Sequence, residues 1–391
     1  MRARHTAHSV PAFPVYSAAF LSPGELVLGG GGGASKTGIK NKIRLYKVDE
    51  FLTMKLKDEL ELESGEDAPM SMAAHPDGDS FVCGINSAAD KVAKGENTNC
   101  RIYSVDDDDK LHLVSATGTL DKDDPEDYQK VTVLSPDGSF LAVGGHHDLS
   151  VLTFPALVTV TTRLERGELY DVAFNATTMV VATTINLLVY SLAEKGNSPN
   201  EKGKAKEDPV VLDTPRTIER PKLPGGETGT FRVARFHPVD PRIFYTVINT
   251  TPGRGGKSSP RKAYIVRWNA ETWKVDRIRK VGDKGLTTFD ISDNGKWIAY
   301  GSSDCSVGLL DSYTLAPLLS ILKSHEFPST VLRFNPTSKL LVSGSADNTV
   351  RIISIPEGLG DSSWVSALTI LLAIFFVLFG IALQLFMTGV I

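Results

Sequence analysis

Five consecutive glycines, Gly29 to Gly33, run into the string ASKTGIKN at residues 34–41, and this is where residue types and spacing first suggest chemistry. Glycines leading to Lys and Thr raise the phosphate-cradling pattern G-x-x-x-x-G-K-[ST]. With Gly30 as its first glycine, Ser35 occupies the position that needs glycine before Lys36 and Thr37. A phosphate loop also has to follow a strand and open a helix, whereas residues 39–48 alternate as a strand does. A flexible linker is the bland reading. Linkers of that kind stay rich in Gly and Ser throughout, and here a specified string follows the glycines. No other constellation competes. The eight histidines form neither a triad nor a metal spacing, and Cys83, Cys100 and Cys305 are far apart and odd in number, which suits free thiols in a reducing compartment. A net charge of -4 argues against a general nucleic-acid binder.

The elements that must position this loop come from a repeat. Its clearest copy is TVLRFNPTSKLLVSGSADNTVRIISI, residues 330–355, beside TTFDISDNGKWIAYGSSDCSVGLLDS at 287–312 and VTVLSPDGSFLAVGGHHDLSVLTF at 131–154. Looser copies bring the total to seven, with turns near Pro23, Pro76, Pro136, Ala176, Pro238, Asn294 and Pro336. The shorter intervals match a four-stranded propeller blade, and the longer ones the same unit with loop insertions. The polar, low-complexity stretch Ala193 to Pro209 reads as a disordered excursion. The acidic run Asp106–Lys110 reads as a solvated turn, Asp121–Lys130 as a loop, and Thr251–Lys262 as a basic inter-strand loop that could meet an acidic partner or lipid.

This pattern resembles a degenerate seven-bladed WD-repeat propeller, so the expected fold is all-β over residues 1–355. Asp148, Asp304 and Asp347 stand at that family's turn aspartate, and His325 and Ser343 fit the other polar positions of the last blade. The family's Trp is absent, with Ile353 in its place, so apolar packing is expected to replace most of the polar network. The last blade shows three strands. Its fourth is expected from residues 6–13, which would close the ring and leave no exposed edge. Loops joining second and third strands emerge on one face of a propeller. The glycine loop, the insertion Ile85–Asn99 and the basic loop Thr251–Lys262 should therefore share it.

The C-terminus is of another kind. No charged residue occurs from Ser362 to Ile391, and Trp364 to Met387 is almost wholly apolar. As a helix this segment would reach roughly 36 Å, against roughly 30 Å of hydrocarbon. The expected organisation is a cytosolic propeller (1–355), a short linker (356–363), a single transmembrane helix (364–387) and a minimal lumenal tail (388–391). The N-terminus has no uninterrupted apolar run, so no secretory signal is expected.

GGGGASKTGIKN on the first blade of such a propeller, with one C-terminal span, resembles the Sec-twelve type of guanine-nucleotide exchange factor. The resemblance implies a protein of the endoplasmic reticulum membrane that loads GTP onto a Sar-type small GTPase and so starts the COPII coat of endoplasmic-reticulum-to-Golgi transport. It also implies that the loop binds a potassium ion and touches the GTPase near its nucleotide. On this reading the backbone carbonyls of Gly31, Gly32, Gly33 and Ala34, with Asn41, would hold potassium. Asn41 would otherwise hold the loop base. Ile39 would wedge against the GTPase switch region, and Lys36 and Thr37 would engage switch or phosphate-side groups. Such a factor makes and breaks no bonds, so it is not an enzyme in the chemical sense. The competing class is a membrane-anchored propeller scaffold without exchange activity.

Overall fold

A computed structural model of the chain describes residues 3–34, 37–120, 126–161, 167–192, 214–251, 261–360 and 363–387. Among these are seven antiparallel sheets, each built from strands consecutive in sequence except one. Blade one consists of Val15–Ser22, Glu25–Gly30, Lys42–Val48 and Met54–Glu61. Blade two consists of Ser71–Ala74, Ser80–Gly84, Cys100–Val105 and Leu111–Thr117. In both, hydrogen-bonding order follows chain order, so each blade is a simple meander. The first strands of neighbouring blades lie against one another around most of the ring. The sheets are thus arranged radially as an all-β, seven-bladed propeller.

Local sequence explains the layering. The second strand of blade five, Ile243–Thr250, is buried along its whole length, as expected for a strand covered on both sheet faces. The outermost strand of blade one, Met54–Glu61, has no fully buried residue, and its sequence MKLKDELE is accordingly charged. Apolar contacts form a series of clusters between adjacent blades. One joins Phe13, Leu26, Leu28, Val342 and Ile352 across blades one and seven, and another joins Ile43, Leu45, Phe81 and Tyr103 across blades one and two. Each blade therefore needs a neighbour on both sides.

Closure takes the expected route with a shifted boundary. The strand His5–Ser9 pairs antiparallel with Thr349–Ser354, His5 opposite Ile353 and Ser9 opposite Thr349. It ends before Val10, whose N–H reaches the Asn348 carbonyl at 2.9 Å, and Phe13 N–H bonds the Asn348 side-chain oxygen at 2.8 Å. Phe13 turns inward and is fully buried. The expected span of 6–13 was too long because its last residues serve the core and the turn instead of the ladder.

Blade seven keeps more of the WD polar network than the sequence suggested. His325 bonds Ser343 Oγ and Thr349 Oγ1, both at 2.8 Å. The Asp347 carboxylate accepts from the N–H groups of Thr349 at 2.9 Å and Glu326 at 2.7 Å. Only the outer end is apolar, with Ile353 fully buried where a Trp would stand.

The chain divides into two compact units, residues 2–355 and the segment from Pro356 onward. The second contains the helix Ser363–Met387. Among the described residues no helix is long and apolar enough to cross a membrane. Side chains of this helix are described only over 368–381 and at 384, a stretch shorter than the roughly 20 residues of a span.

Candidate functional site

The glycine loop joins the second and third strands of blade one, and it is a folded object. A side chain on Gly31 would place its Cβ 2.3 Å from Asn41 Oδ1, and one on Gly32 would come 2.1 Å from Thr37 Oγ1. Gly31 and Gly33 also hold φ of 141° and 71°, which L side chains rarely adopt. The glycines are there because the two limbs of the loop touch.

Asn41 fastens those limbs. Its side-chain oxygen accepts from Gly33 N–H at 2.9 Å, and its amide donates to the Gly33 carbonyl at 3.0 Å. The same amide donates to the Glu66 carbonyl at 2.7 Å, in the link between blades one and two. Glu66 is itself anchored. Its carboxylate takes Arg101 Nη2 at 2.6 Å, with both side chains buried, and Glu63 N–H at 3.0 Å. A buried pair of this kind is held firmly because losing one partner strands the other charge. The loop is therefore tied through Asn41 and Glu66 to the third strand of blade two.

Asp67, next in the link, borders the loop. Its carboxylate accepts from the N–H groups of Ala34 and of Ala68, the latter at 2.7 Å, and its main-chain N–H bonds the Asn86 carbonyl at 3.0 Å. Burial raises its pKa, against the lowering effect of these two N–H donors. Asn86 begins the blade-two insertion, which carries the short helix Ala89–Ala93, and Lys91 of that helix reaches Glu63 at 3.1 Å. The glycine loop and the Ile85–Asn99 insertion thus share a face, as expected. The basic loop falls largely outside the described residues, at 252–260.

Of the remaining named positions, Thr37 is exposed, and around Gly38 a Cβ would meet open space, so these form the free tip. Ile39 is half-buried, its Cβ and carbonyl against Gly32, and its N–H reaches Thr37 Oγ1 at 3.3 Å. Lys36 lies outside the described residues. Lys40 pairs with Glu61 at 2.9 Å, Lys42 with Glu59, and Arg44 with Glu59 at 2.6 Å, so these cations strap the loop base to the outer strand. Sequence reasoning missed Glu66, Asp67 and Arg101. The first two sit in the acidic run ELESGED at 61–67, which reads as solvated linker, and nothing local ties them to a loop some 30 residues upstream.

Donors around the loop are backbone carbonyls, the Thr37 hydroxyl and the Asp67 carboxylate. All are hard oxygens, and among the described residues no group of three His, Cys, Asp or Glu side chains could hold a metal ion. Such a set suits an alkali cation better than a transition metal.

Residues 316–354, covering most of the last blade, match the WD domain, G-beta repeat. Over 377 residues the chain is 27% identical to the guanine nucleotide-exchange factor SEC12 of Candida glabrata, covering 93% of this chain and 75% of that protein. It is 25% identical over 329 residues to SEC12-like protein 2 of Arabidopsis thaliana, covering 82% and 74% respectively. With the guanine nucleotide-exchange factor SEC12 of Rattus norvegicus it shares 23% over 367 residues, 83% of this chain and 82% of the relative. The similarity to the putative exchange factor SED4 of Candida glabrata spans 92% of this chain but only a third of that longer protein.

Proposed function

We propose that this chain, similar over most of its length to guanine nucleotide-exchange factors of the SEC12 type, promotes GDP release and GTP loading on a Sar-type small GTPase at the endoplasmic reticulum membrane, upstream of COPII assembly. The observation that carries this reading is the glycine loop of blade one, shut by the two-sided Asn41–Gly33 clamp and presenting Thr37 and Gly38 at its tip.

Exchange needs no acid, base or nucleophile. It needs a surface that binds the nucleotide-free GTPase better than the loaded one, and by linkage such a surface weakens nucleotide binding by the same factor. Disturbing the switch segments that contact Mg²⁺ and phosphate is the physical route. A loop held in advance loses less conformational entropy when it engages those segments. Asn41 and Glu66 supply that holding here. Thr37 at the tip would meet the GTPase, as would Lys36, which precedes it in sequence, and Ile39 would add apolar contact at the edge of the loop.

A potassium ion would fit the carbonyls of Gly31, Gly32, Gly33 and Ala34, and when bound it would stiffen the loop electrostatically. In this arrangement Asn41 serves chiefly as the clamp, since its amide nitrogen and oxygen are already engaged with backbone. The charge-free helix Ser363–Met387, 25 residues long, would anchor the propeller as a single transmembrane span. Large apolar side chains along it, including Phe375, Phe376 and Phe379, are more than half exposed, which lipid would cover.

The test is nucleotide release. The full chain in liposomes should accelerate mant-GDP dissociation from a Sar-type GTPase well above the intrinsic rate. A GTPase that binds the liposomes but releases nucleotide at its own rate would leave the scaffold reading.

A further inference from the structure

At the mouth of the central channel, between blades four, five and six, lies a hollow of about 420 Å³ lined by Tyr170, Arg232, Arg261, Asn249, Thr287 and Ser303, among others. Its chemistry is one-sided. The Arg232 guanidinium lies over the Tyr170 ring, 4.3 Å from the centroid, and Lys130 Nζ lies over the same ring at 5.2 Å. Arg261 brings a third cation close enough to act on the Tyr170 phenol.

Two carboxylates stand near. Glu168 bonds the Tyr170 hydroxyl and approaches Lys130 Nζ at 3.8 Å. Asp127 acts on Lys130 from a distance, but its oxygens are engaged by His146 Nδ1 at 2.9 Å and by His146 N–H at 2.8 and 3.0 Å. Both acids serve the Lys130 side. Among the described residues neither Arg232 nor Arg261 forms an ion pair with a carboxylate; Arg232 stacks on Tyr170 instead, and its Nε is buried without a hydrogen-bond partner. Asn249 is committed elsewhere, with its amide and oxygen on the Leu286 backbone, each at 2.9 Å. Two guanidinium groups therefore line one recess in which, among the described residues, no carboxylate is paired with either of them. Like charges gathered in partly desolvated space are unfavourable until an opposite charge joins them.

We propose that this hollow is a binding site for a phosphate-bearing small molecule. Planar guanidinium forks match phosphate oxygens in pairs, more strongly than neutral donors do. The cavity lies within the usual range for small-ligand sites, roughly 300–1,000 Å³, and has room for an organic phosphate larger than the inorganic ion. The site is separate from the glycine loop and does not depend on exchange activity.

Calorimetric titration of the full chain in detergent tests it, with inorganic phosphate, GTP and inositol hexakisphosphate as probes at about 150 mM salt, where weak surface attraction is largely screened. At least one probe should bind, with an organic phosphate ahead of the inorganic ion. Arg232→Gln should weaken that binding about tenfold or more, the scale of one lost charge-assisted contact. Arg261→Gln, at the exposed rim, should weaken it several-fold without touching the Tyr170 stack, and it decides the matter if the Arg232 variant melts early. Lys339→Gln, distant in a turn of blade seven, should bind as wild type. No probe binding tighter than about 1 mM, or affinities unchanged in both arginine variants, would overturn the proposal. So would a pattern in which the arginine variants lose only GTPase binding and no phosphate compound binds, which would assign the cations to a carboxylate of the partner.

Discussion

Replacing Asn41 by alanine should cripple exchange while leaving the propeller folded. The side chain makes three hydrogen bonds, two to Gly33 and one to the Glu66 carbonyl. At about 1 kcal/mol net each they hold the loop by roughly 3 kcal/mol, reduced to about 2 where water replaces them at this half-exposed site. Losing those roughly 2 kcal/mol lowers the closed-to-open ratio about 30-fold; with the two forms near balance in the wild type, the competent fraction falls about 15-fold, and exchange efficiency falls with it. Global stability should change little. The Asn41 carbonyl keeps its bond from Leu62 N–H at 2.9 Å, and Glu66 keeps Arg101. Nucleotide release measured against GTPase concentration, beside a thermal melt, reads both quantities. Asn41→Asp sharpens the test. It keeps an acceptor for Gly33 N–H but faces two carbonyls with a carboxylate, so it should lose at least as much as alanine. Wild-type exchange by the alanine variant would refute the clamp. A melting temperature lowered by more than about 8 °C would make Asn41 a fold residue instead, since surface changes cost about 0.5 kcal/mol or less. Near-wild-type exchange by the aspartate variant alone would point to a direct acceptor role toward the GTPase.

Replacing potassium by lithium at constant ionic strength should slow exchange if the loop holds potassium as proposed, because the smaller ion would be poorly matched to carbonyls that enclose the larger one; equal rates in both salts would remove potassium from the loop. Deleting residues 1–13 removes the His5–Ser9 ladder and the buried Phe13 and should lower the melting temperature by at least about 10 °C, since loss of a buried Phe alone costs about 3–5 kcal/mol; a deletion variant melting like wild type would contradict closure by the N-terminus. His325 is buried and hydrogen-bonded to Ser343 and Thr349, and burial lowers its pKa against the pull of Asp347. Its folded pKa lies below the unfolded value near 6.5, so the stability it contributes is present above about pH 6.5 and is lost as pH falls through the folded value. Melting temperatures should therefore drop on acidification from neutral pH, with a shallower slope in His325→Gln, and parallel slopes for the two proteins would count against this.

How much was legible beforehand differs by element. The repeat, the blade count and the use of N-terminal residues for closure followed from period and from a missing fourth strand, because a two-faced apolar sheet announces itself in every copy. The glycine loop and its Asn41 base were visible for the same local reason: glycine marks close approach, and the string after it is too specific for a linker. The exact end of the closing strand was not visible, since the alternation of residues 5–13 does not say where Phe13 leaves the ladder for the core. Nor were Glu66, Asp67 and Arg101. Their roles arise where the blade-one link passes under the loop and meets the third strand of blade two, a contact between segments far apart in sequence. The hollow around Tyr170 is of the same kind, because Tyr170 comes from blade four, Arg232 and Arg261 from different segments of blade five and Lys130 from the entry to blade three, and the cations read singly as ordinary surface charges. Periodicity reports what each strand buries. Only the closed ring decides which charges from different strands must share one space.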